Sequence, residues 1–302
     1  MATQSRLNGR LAEQLGSFPA AWFSFGSGLA LLSLCLFWPR YRRRLGRVGA
    51  ALRSGRLRPW QVLGGFGGGL LVGTQTFAVP LVGVASFVIA IIGGQTVSAL
   101  LVDRYGLGSA PPQAVSPLRL AAAALAVVGV AIAVTSAYDG RLLWIPVLLA
   151  FLVGMGTAVQ QAINGRVNGV TGDPIATAWI NFLTGTALLL VIGFWPVMQS
   201  GLPASWAAPW WAWWGGLCGV TFIALAAWAV QHSGVLLFGL VTITSQMLVA
   251  LLLDYSLEAT RHRVNGQMVT GVVITVIAAV WAGLAAHRAR RRAMRILSAP
   301  SG

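Results

Sequence analysis

Nine long apolar stretches constrain this chain more than any other feature of its sequence. A helix that crosses a bilayer needs about 20 mostly apolar residues. The stretches are continuous rather than alternating, and backbone groups in lipid must be bonded internally, so each stretch is predicted to be helical. They lie at 19–38, 60–79, 83–101, 118–135, 143–162, 174–195, 211–230, 234–253 and 268–286. The sequence therefore predicts an all-α polytopic membrane protein.

Composition excludes an ordinary soluble enzyme. The 302-residue chain is 57% hydrophobic and 9% charged, whereas soluble domains contain about 25% charged residues. Its 21 basic residues are all arginine and outnumber six acidic residues, which gives a net charge of +15. Because these arginines lie between apolar stretches, we interpret them as determinants of topology that face anionic lipid, and we expect no nucleic-acid partner.

The arginines predict which ends of the helices face the cytoplasm. Eight lie within 40–58 and five more within the basic tail 288–302. Arginine-rich loops stay on the cytoplasmic side, and the eight stretches between these segments return the chain to that side. The uncharged segment 196–210 then lies outside. The segment 254–267 also lies outside on this count, although it carries two arginines.

The two halves of the chain, 1–135 and 143–287, match each other in order. The matches are Asn8-Gly9-Arg10 with Asn164-Gly165-Arg166, Trp22, Phe25 and Gly28 with Trp179, Phe182 and Gly185, and Gln95, Ala99 and Asp103 with Gln246, Ala250 and Asp254. The second half contains five stretches, and an odd number makes the second copy enter the membrane from the opposite side. This pattern predicts an inverted-topology repeat, which is typical of secondary transporters.

The first half shows only four apolar stretches. The counterpart of 143–162 would lie almost wholly before Met1. We therefore expect the coding sequence to begin further upstream with about 20 apolar codons, because a packed inverted repeat without one helix would have a gap in its bundle. The alternative is a genuine nine-helix protein.

A set of short motifs resembles a known family. The motifs are Gly154-x-Gly156, Gln161-Ala162-x-Asn164, Asp173-Pro174, Asn181-Phe182 and Gly185-Thr186. With the paired Gln-x7-Asp segments, the chain resembles the drug/metabolite transporter superfamily, and within it the EamA-like branch of ten-helix inner-membrane proteins of unknown function. The resemblance implies a secondary transporter, often an exporter. Small relatives use a membrane-embedded Glu, but no apolar stretch here contains one.

Polar groups inside the apolar stretches are the candidate site residues, because they are costly to bury in lipid. Gln95 and Gln246 occupy matching places, and we leave open whether they form a polar site near the midplane or only join helices. The proposed substrate-binding residues are Gln95, Gln246, Asn181, Gln161, Asn164, Ser245 and Trp228. Asp103 and Asp254 lie about 12 Å further along their helices, and we expect them to act as interfacial caps or gates.

These features favour a secondary transporter, and specifically an exporter, of small polar metabolites by alternating access. The predicted location is a bacterial-type inner membrane, with the C-terminus cytoplasmic and anionic lipids near 40–58 and the tail. Two alternatives remain: a flippase or carrier of lipid-linked or amphiphilic molecules, and a non-transporting scaffold. No catalytic constellation is present in the sequence, so an enzyme is not expected, and neither a cofactor nor a metal site is predicted.

Overall fold

The computed structural model describes residues 1–107, 115–135, 144–256, 261 and 264–297, without the side chains of 134–135, 223–240, 286–287 and 289–297. All regular structure in these residues is helical. The α-helices are α1 (Ala2–Leu15), α2 (Ser17–Ser33), α3 (Pro39–Arg53), α4 (Gly65–Tyr105), α5 (Pro117–Thr135), α6 (Trp144–Thr171), α7 (Pro174–Ser200), α8 (Gly215–Ser256) and α9 (Gly266–Leu297).

The fold is that of an all-α polytopic membrane protein, as predicted. Five segments of the described chain are long and apolar enough to cross a membrane: Ser17–Phe37, Gly65–Tyr105, Trp144–Thr171, Pro174–Ser200 and Gly266–Ala285. Two shorter apolar segments, Pro117–Ala133 and Val241–Ser256, accompany them. Helix α5 packs antiparallel to α9, because Gly129 meets Thr275 while Ala133, further along α5, meets Gly271.

Helix α4 is broken at Gly83 into two arms, 65–82 and 84–105. Gly83 has φ of 81° and ψ of 170°, a conformation that favours glycine. Gly67 packs against Gln160 of α6, and Gln95 donates a hydrogen bond to Thr157 of the same helix. Gly67 and Gln95 would be about 42 Å apart in a straight helix. Because both meet the same stretch of α6, the second arm must run back alongside the first, in agreement with the two stretches predicted here.

The arginine-rich segment 40–58, described above as a loop, is largely helical in the structure. Pro39 opens α3 at its first turn, where a missing N–H costs nothing. Tyr41 is buried and donates from its hydroxyl to the Ile175 carbonyl at 3.1 Å. Burial, reinforced by the nearby Cys35 and Asp173, raises the pKa of the Tyr41 phenol, so it stays protonated and remains a donor. Helix α3 is thereby docked on the start of α7.

The turn between α6 and α7 is fixed by a local cap and by α3. Asp173 accepts hydrogen bonds from the backbone N–H groups of Ile175 at 2.9 Å and Ala176 at 3.4 Å, so it is the N-cap of α7. Arg44 donates to the Gly172 carbonyl and lies 3.5 Å from the Asp173 carboxylate. This turn, α3 and the end of α4 together form one end of the bundle, which we call the arginine end.

Several helix ends differ from the apolar stretches. The apolar stretch 174–195 ends before Pro196, but helix α7 continues through Pro196 to Ser200. Helix α9 runs to Leu297, so its backbone includes most of the predicted tail 288–302. Such extensions are expected because hydropathy marks the membrane-embedded part of a helix and not its last turn.

The polar N-terminal residues form a helix that the sequence analysis did not predict. Helix α1 buries Ser5, Asn8 and Leu11, although its composition is too polar to mark a membrane span. At the offset that matches Asn8 to Asn164, α1 corresponds to the last part of α6, residues 158–171. Both segments end at a glycine of positive φ, namely Gly16 at 86° and Gly172 at 61°.

Matched residues of the two halves contact each other reciprocally. Phe25 packs onto Gly185, and its counterpart Phe182 packs onto Gly28. The ring centres of Phe25 and Phe182 lie 4.9 Å apart. The glycines permit this approach because a Cβ on either one would overlap the facing ring. Such paired contacts are those expected where two similar halves meet around an approximate two-fold axis.

Candidate functional site

Side-chain amides from three helices form a hydrogen-bonded row beside the centre of α6. Gln160 donates to the Asn181 side-chain oxygen at 3.3 Å, and Asn181 donates to the Asn164 side-chain oxygen at 2.9 Å. Closer to the middle of the helix, Gln95 of α4 donates to the Thr157 hydroxyl at 2.9 Å. We call these five residues the amide row. It spans about 10 Å along α6, from Thr157 to Asn164.

Glycines at the start of α4 pack directly against the amide row. Gly64 faces the side-chain oxygens of Asn164 and Asn181, and Gly68 faces the amide nitrogen of Gln160. A Cβ at Gly64 would lie 2.6 Å from the Asn164 oxygen, and one at Gly68 would lie 2.9 Å from the Gln160 nitrogen. The small residues therefore bring α4 close enough for its backbone to line the amides.

The amide row keeps hydrogen-bonding capacity that the protein itself does not use. Within the described chain, the side-chain oxygens of Gln95 and Gln160 and the side-chain nitrogen of Asn164 make no hydrogen bond, and none of the three atoms is fully buried. Asn181, by contrast, is buried and uses both ends of its amide. The row thus has one internally satisfied amide, flanked by amides that can still bind a polar molecule.

The other predicted substrate-binding residues do not join the amide row. Gln246 is half-buried and makes no hydrogen bond with Gln95 or with any other described residue. Ser245 and Gln161 are exposed. The side chain of Trp228 lies outside the described residues. The sequence therefore indicated Gln95, Asn164 and Asn181 of the row, whereas Gln160 was not among the predicted residues.

A second polar cluster lies in the first half of the chain, at the position that corresponds to the amide row in the second half. It was not predicted from the sequence. Asn8 donates to the Gln75 oxygen at 2.6 Å, and Gln75 donates to the Ser5 hydroxyl at 2.5 Å. Asn8 faces Gly215 just as its counterpart Asn164 faces Gly64, the counterpart of Gly215. The signal that could have found this cluster was the match of Asn8 to Asn164.

Asp254 connects the two halves at the end of the bundle opposite the arginine end. Its carboxylate is buried and accepts hydrogen bonds from the backbone N–H groups of Val84 at 3.0 Å and Ala85 at 2.7 Å. These N–H groups begin the second arm of α4, immediately after the break at Gly83, and have no partner in the preceding turn. An aspartate of the second half therefore caps a helix of the first half.

Asp103, the counterpart of Asp254, makes a different contact at the arginine end. Its carboxylate lies 2.5 Å from Nη2 of Arg119, whose side chain is 3% exposed. Nearby, Arg166 donates to the carbonyl oxygens of Gly106 and Leu107 at 2.7 and 2.8 Å. Arg119 was not predicted as a site residue, because a single arginine at the start of an apolar stretch has the pattern of an ordinary flanking charge.

Comparisons with known proteins identify the family. The family model described as "Putative inner membrane exporter, YdcZ", of the drug/metabolite transporter type, matches residues 1–132 and 145–281. The gap between the matched stretches falls between α5 and α6. No curated protein and no solved structure matches the chain. The match extends over most of a helical chain with several membrane-spanning segments, and this chain therefore belongs to the YdcZ family of inner-membrane proteins within the drug/metabolite transporter group.

Proposed function

We propose that this protein exports small polar metabolites by alternating access of two inverted halves, without enzymatic chemistry. The observation that carries the proposal is the unused hydrogen-bonding capacity of the amide row. Neutral amides both donate and accept, so they suit a polar or zwitterionic molecule that must leave again. The family membership supports export as the direction.

The contacts between the halves support the proposed inverted arrangement. Asn164 meets Gly64 near the arginine end, whereas the matched pair Asn8 and Gly215 meet nearer the other end. Two copies in opposite orientation would place equivalent residues in this way. A substrate at the amide row would then lie between halves that can rock against each other.

The matched aspartates suit the role of gates at opposite ends. Asp254 holds the arm of α4 that begins at Val84, and Asp103 holds Arg119 at the start of α5. In alternating access, contacts at one end must break while those at the other end form. We propose that these two contacts open in turn.

The surface of α3 supports a lipid partner at the arginine end. Of the eight arginines in 40–58, only Arg44 is partly buried, and the other seven are exposed. The apolar side chains of Val48 and Ala51 are buried against the bundle. We propose that α3 lies at the cytoplasmic surface of the inner membrane, where anionic lipid headgroups neutralise these arginines and the C-terminal tail.

A binding screen followed by a transport assay tests the proposed function. Purified protein would be melted with amino acids, nucleosides and monosaccharides, because a ligand that binds the folded state raises its melting temperature. Each stabilising compound would then be loaded, radiolabelled, into proteoliposomes. We expect Gln95→Leu and Gln160→Leu to reduce its transport at least tenfold. The loss of a membrane hydrogen bond should lower stability by only about 0.6 kcal/mol.

The matched control is Gln199→Leu, which makes the same change at an exposed position near the end of α7. This variant should transport like the unaltered protein. Full transport by the Gln95→Leu, Gln160→Leu double variant would contradict the amide row as the site. Stabilisation by a compound that no proteoliposome transports would contradict the transporter itself.

A further inference from the structure

Arg119 is a buried cation whose hydrogen-bonding groups are mostly unused. Its side chain is 3% exposed, and its partner among the described residues is the Asp103 carboxylate, which contacts Nη2. Both Nε and Nη1 are fully buried and have no hydrogen-bond partner in the part of the chain that the structure describes. A buried N–H without a hydrogen bond raises the free energy of the folded state, and more so when it belongs to a charged group. Arginine at such a site normally presents its planar fork to a carboxylate or phosphate.

The surroundings of Arg119 favour an anion rather than a neutral ligand. Asp103 neutralises one positive charge, but Arg104 and Arg166 lie in the adjoining segments and add two more. Arg166 is directed at the Gly106 and Leu107 carbonyls and keeps the end of α4 beside α6. The arginine end therefore has a positive field that draws small anions towards Arg119.

We propose that Arg119 is the binding group for an oxyanion, and that this oxyanion is the carboxylate or phosphate of the transported metabolite. The inference rests on the proposed function and narrows its substrate class to molecules with at least one such group. In the absence of substrate, Asp103 accepts a hydrogen bond from Nη2 of Arg119, and it therefore competes with the substrate oxyanion for the guanidinium. When the oxyanion binds across the edge formed by Nη1 and Nη2, it displaces the Asp103 carboxylate from Nη2, and the contact between α4 and α5 loosens at the arginine end. The amide row would then receive the neutral polar part of the same molecule.

Melting curves in neutral detergent test this site independently of transport. The probes are sodium succinate and inorganic phosphate, compared with sodium chloride at equal ionic strength, and phosphatidylglycerol added to the micelles. Succinate or phosphate should raise the melting temperature of the unaltered protein. Asp103→Asn should melt lower without an anion, because it removes the negative charge that neutralises Arg119, and the anion should restore the melting temperature. The apparent Kd of Asp103→Asn for the anion should be about tenfold lower than that of the unaltered protein, which corresponds to about 1.4 kcal/mol.

Two further variants complete the test. Arg119→Gln should lose the response to succinate and phosphate, while Arg56→Gln, at an exposed arginine in the turn after α3, should respond like the unaltered protein. An equal response in Arg119→Gln, or an Asp103→Asn protein that no anion rescues, would overturn the site. A response to phosphatidylglycerol alone would overturn its assignment to the substrate. If the protein transports but anions do not change its melting temperature, only this inference is contradicted. If anions rescue Asp103→Asn but the unaltered protein transports nothing, only the proposed function is contradicted.

Discussion

Gly154 and Gly156 lie close together on α6, but Gly154 packs against another helix and Gly156 faces open space. A Cβ on Gly154 would overlap the backbone carbonyl of Ile91 in the second arm of α4, which cannot move aside like a side chain. A Cβ on Gly156 would meet nothing within 4 Å. The same substitution at these two positions therefore separates helix propensity from interhelical packing.

We expect Gly154→Ala to lower the free energy of unfolding by about 1–3 kcal/mol, the range for overpacked sites. Gly156→Ala should leave it unchanged or raise it by up to about 1 kcal/mol, because alanine favours the helix. Denaturation in a detergent mixture, followed by circular dichroism, measures both. Equal stabilities of the two variants would contradict the close packing of α4 against α6.

Single residues also show why parts of the site could not be predicted. Asn181 and Asn164 could be predicted because an amide inside an apolar stretch is costly and seeks partners. Arg119 could not, because its burial depends on the packing of α4 and α5, which no local pattern encodes. Gln246 has the same local pattern as Gln95, yet only Gln95 meets a partner on α6.

The break in α4 is the element whose stability depends most on the other half of the chain. The arm that starts at Val84 has its first N–H groups bonded to Asp254 from across the bundle. Asp173 caps the N-terminus of α7 in the same way, but it is adjacent to that helix in the sequence and is half-exposed. The two aspartates thus make a matched pair for testing long-range against local capping.

Asp254→Ala should destabilise the protein by about 2–6 kcal/mol, because two buried N–H groups each lose a partner at about 1–3 kcal/mol. Asp254→Asn should cost less, since an asparagine oxygen still accepts. Asp173→Ala should cost about 1 kcal/mol, the usual value for a lost N-cap. Thermal melts of the three variants measure the order. An Asp254→Ala protein as stable as Asp173→Ala would contradict the capping of α4 by the second half.

Helices α1 and α3 illustrate which elements hydropathy misses. Both carry many polar or charged residues, so neither forms an apolar stretch of spanning length. Each is ordered by one buried side: α1 through the cluster with Gln75, and α3 through Tyr41 on α7. The membrane-spanning helices were predictable because lipid imposes length and composition on them directly.

At the scale of the whole molecule, the central claim is that two similar halves lie in opposite orientations. The reciprocal contacts of Phe25 with Gly185 and of Phe182 with Gly28 are the packing that such an arrangement produces. The charge pattern agrees, because 40–58 carries eight arginines and its counterpart 196–210 carries none. Opposite orientation would also place the proposed gates, Asp103 and Asp254, at the two ends with one repeated set of residues.

Labelling of single cysteines in these two matched segments tests the claim most directly. Cys35 and Cys218 would first be replaced by serine, and Gly46→Cys and Ser205→Cys introduced separately, both at exposed positions. A Cβ at Gly46 meets no other atom within 4 Å, so the change should not disturb α3. In right-side-out vesicles, a membrane-impermeant maleimide should label the Ser205→Cys protein at once and the Gly46→Cys protein only after permeabilisation. Labelling of both from the same side would contradict the opposite orientation of the two halves.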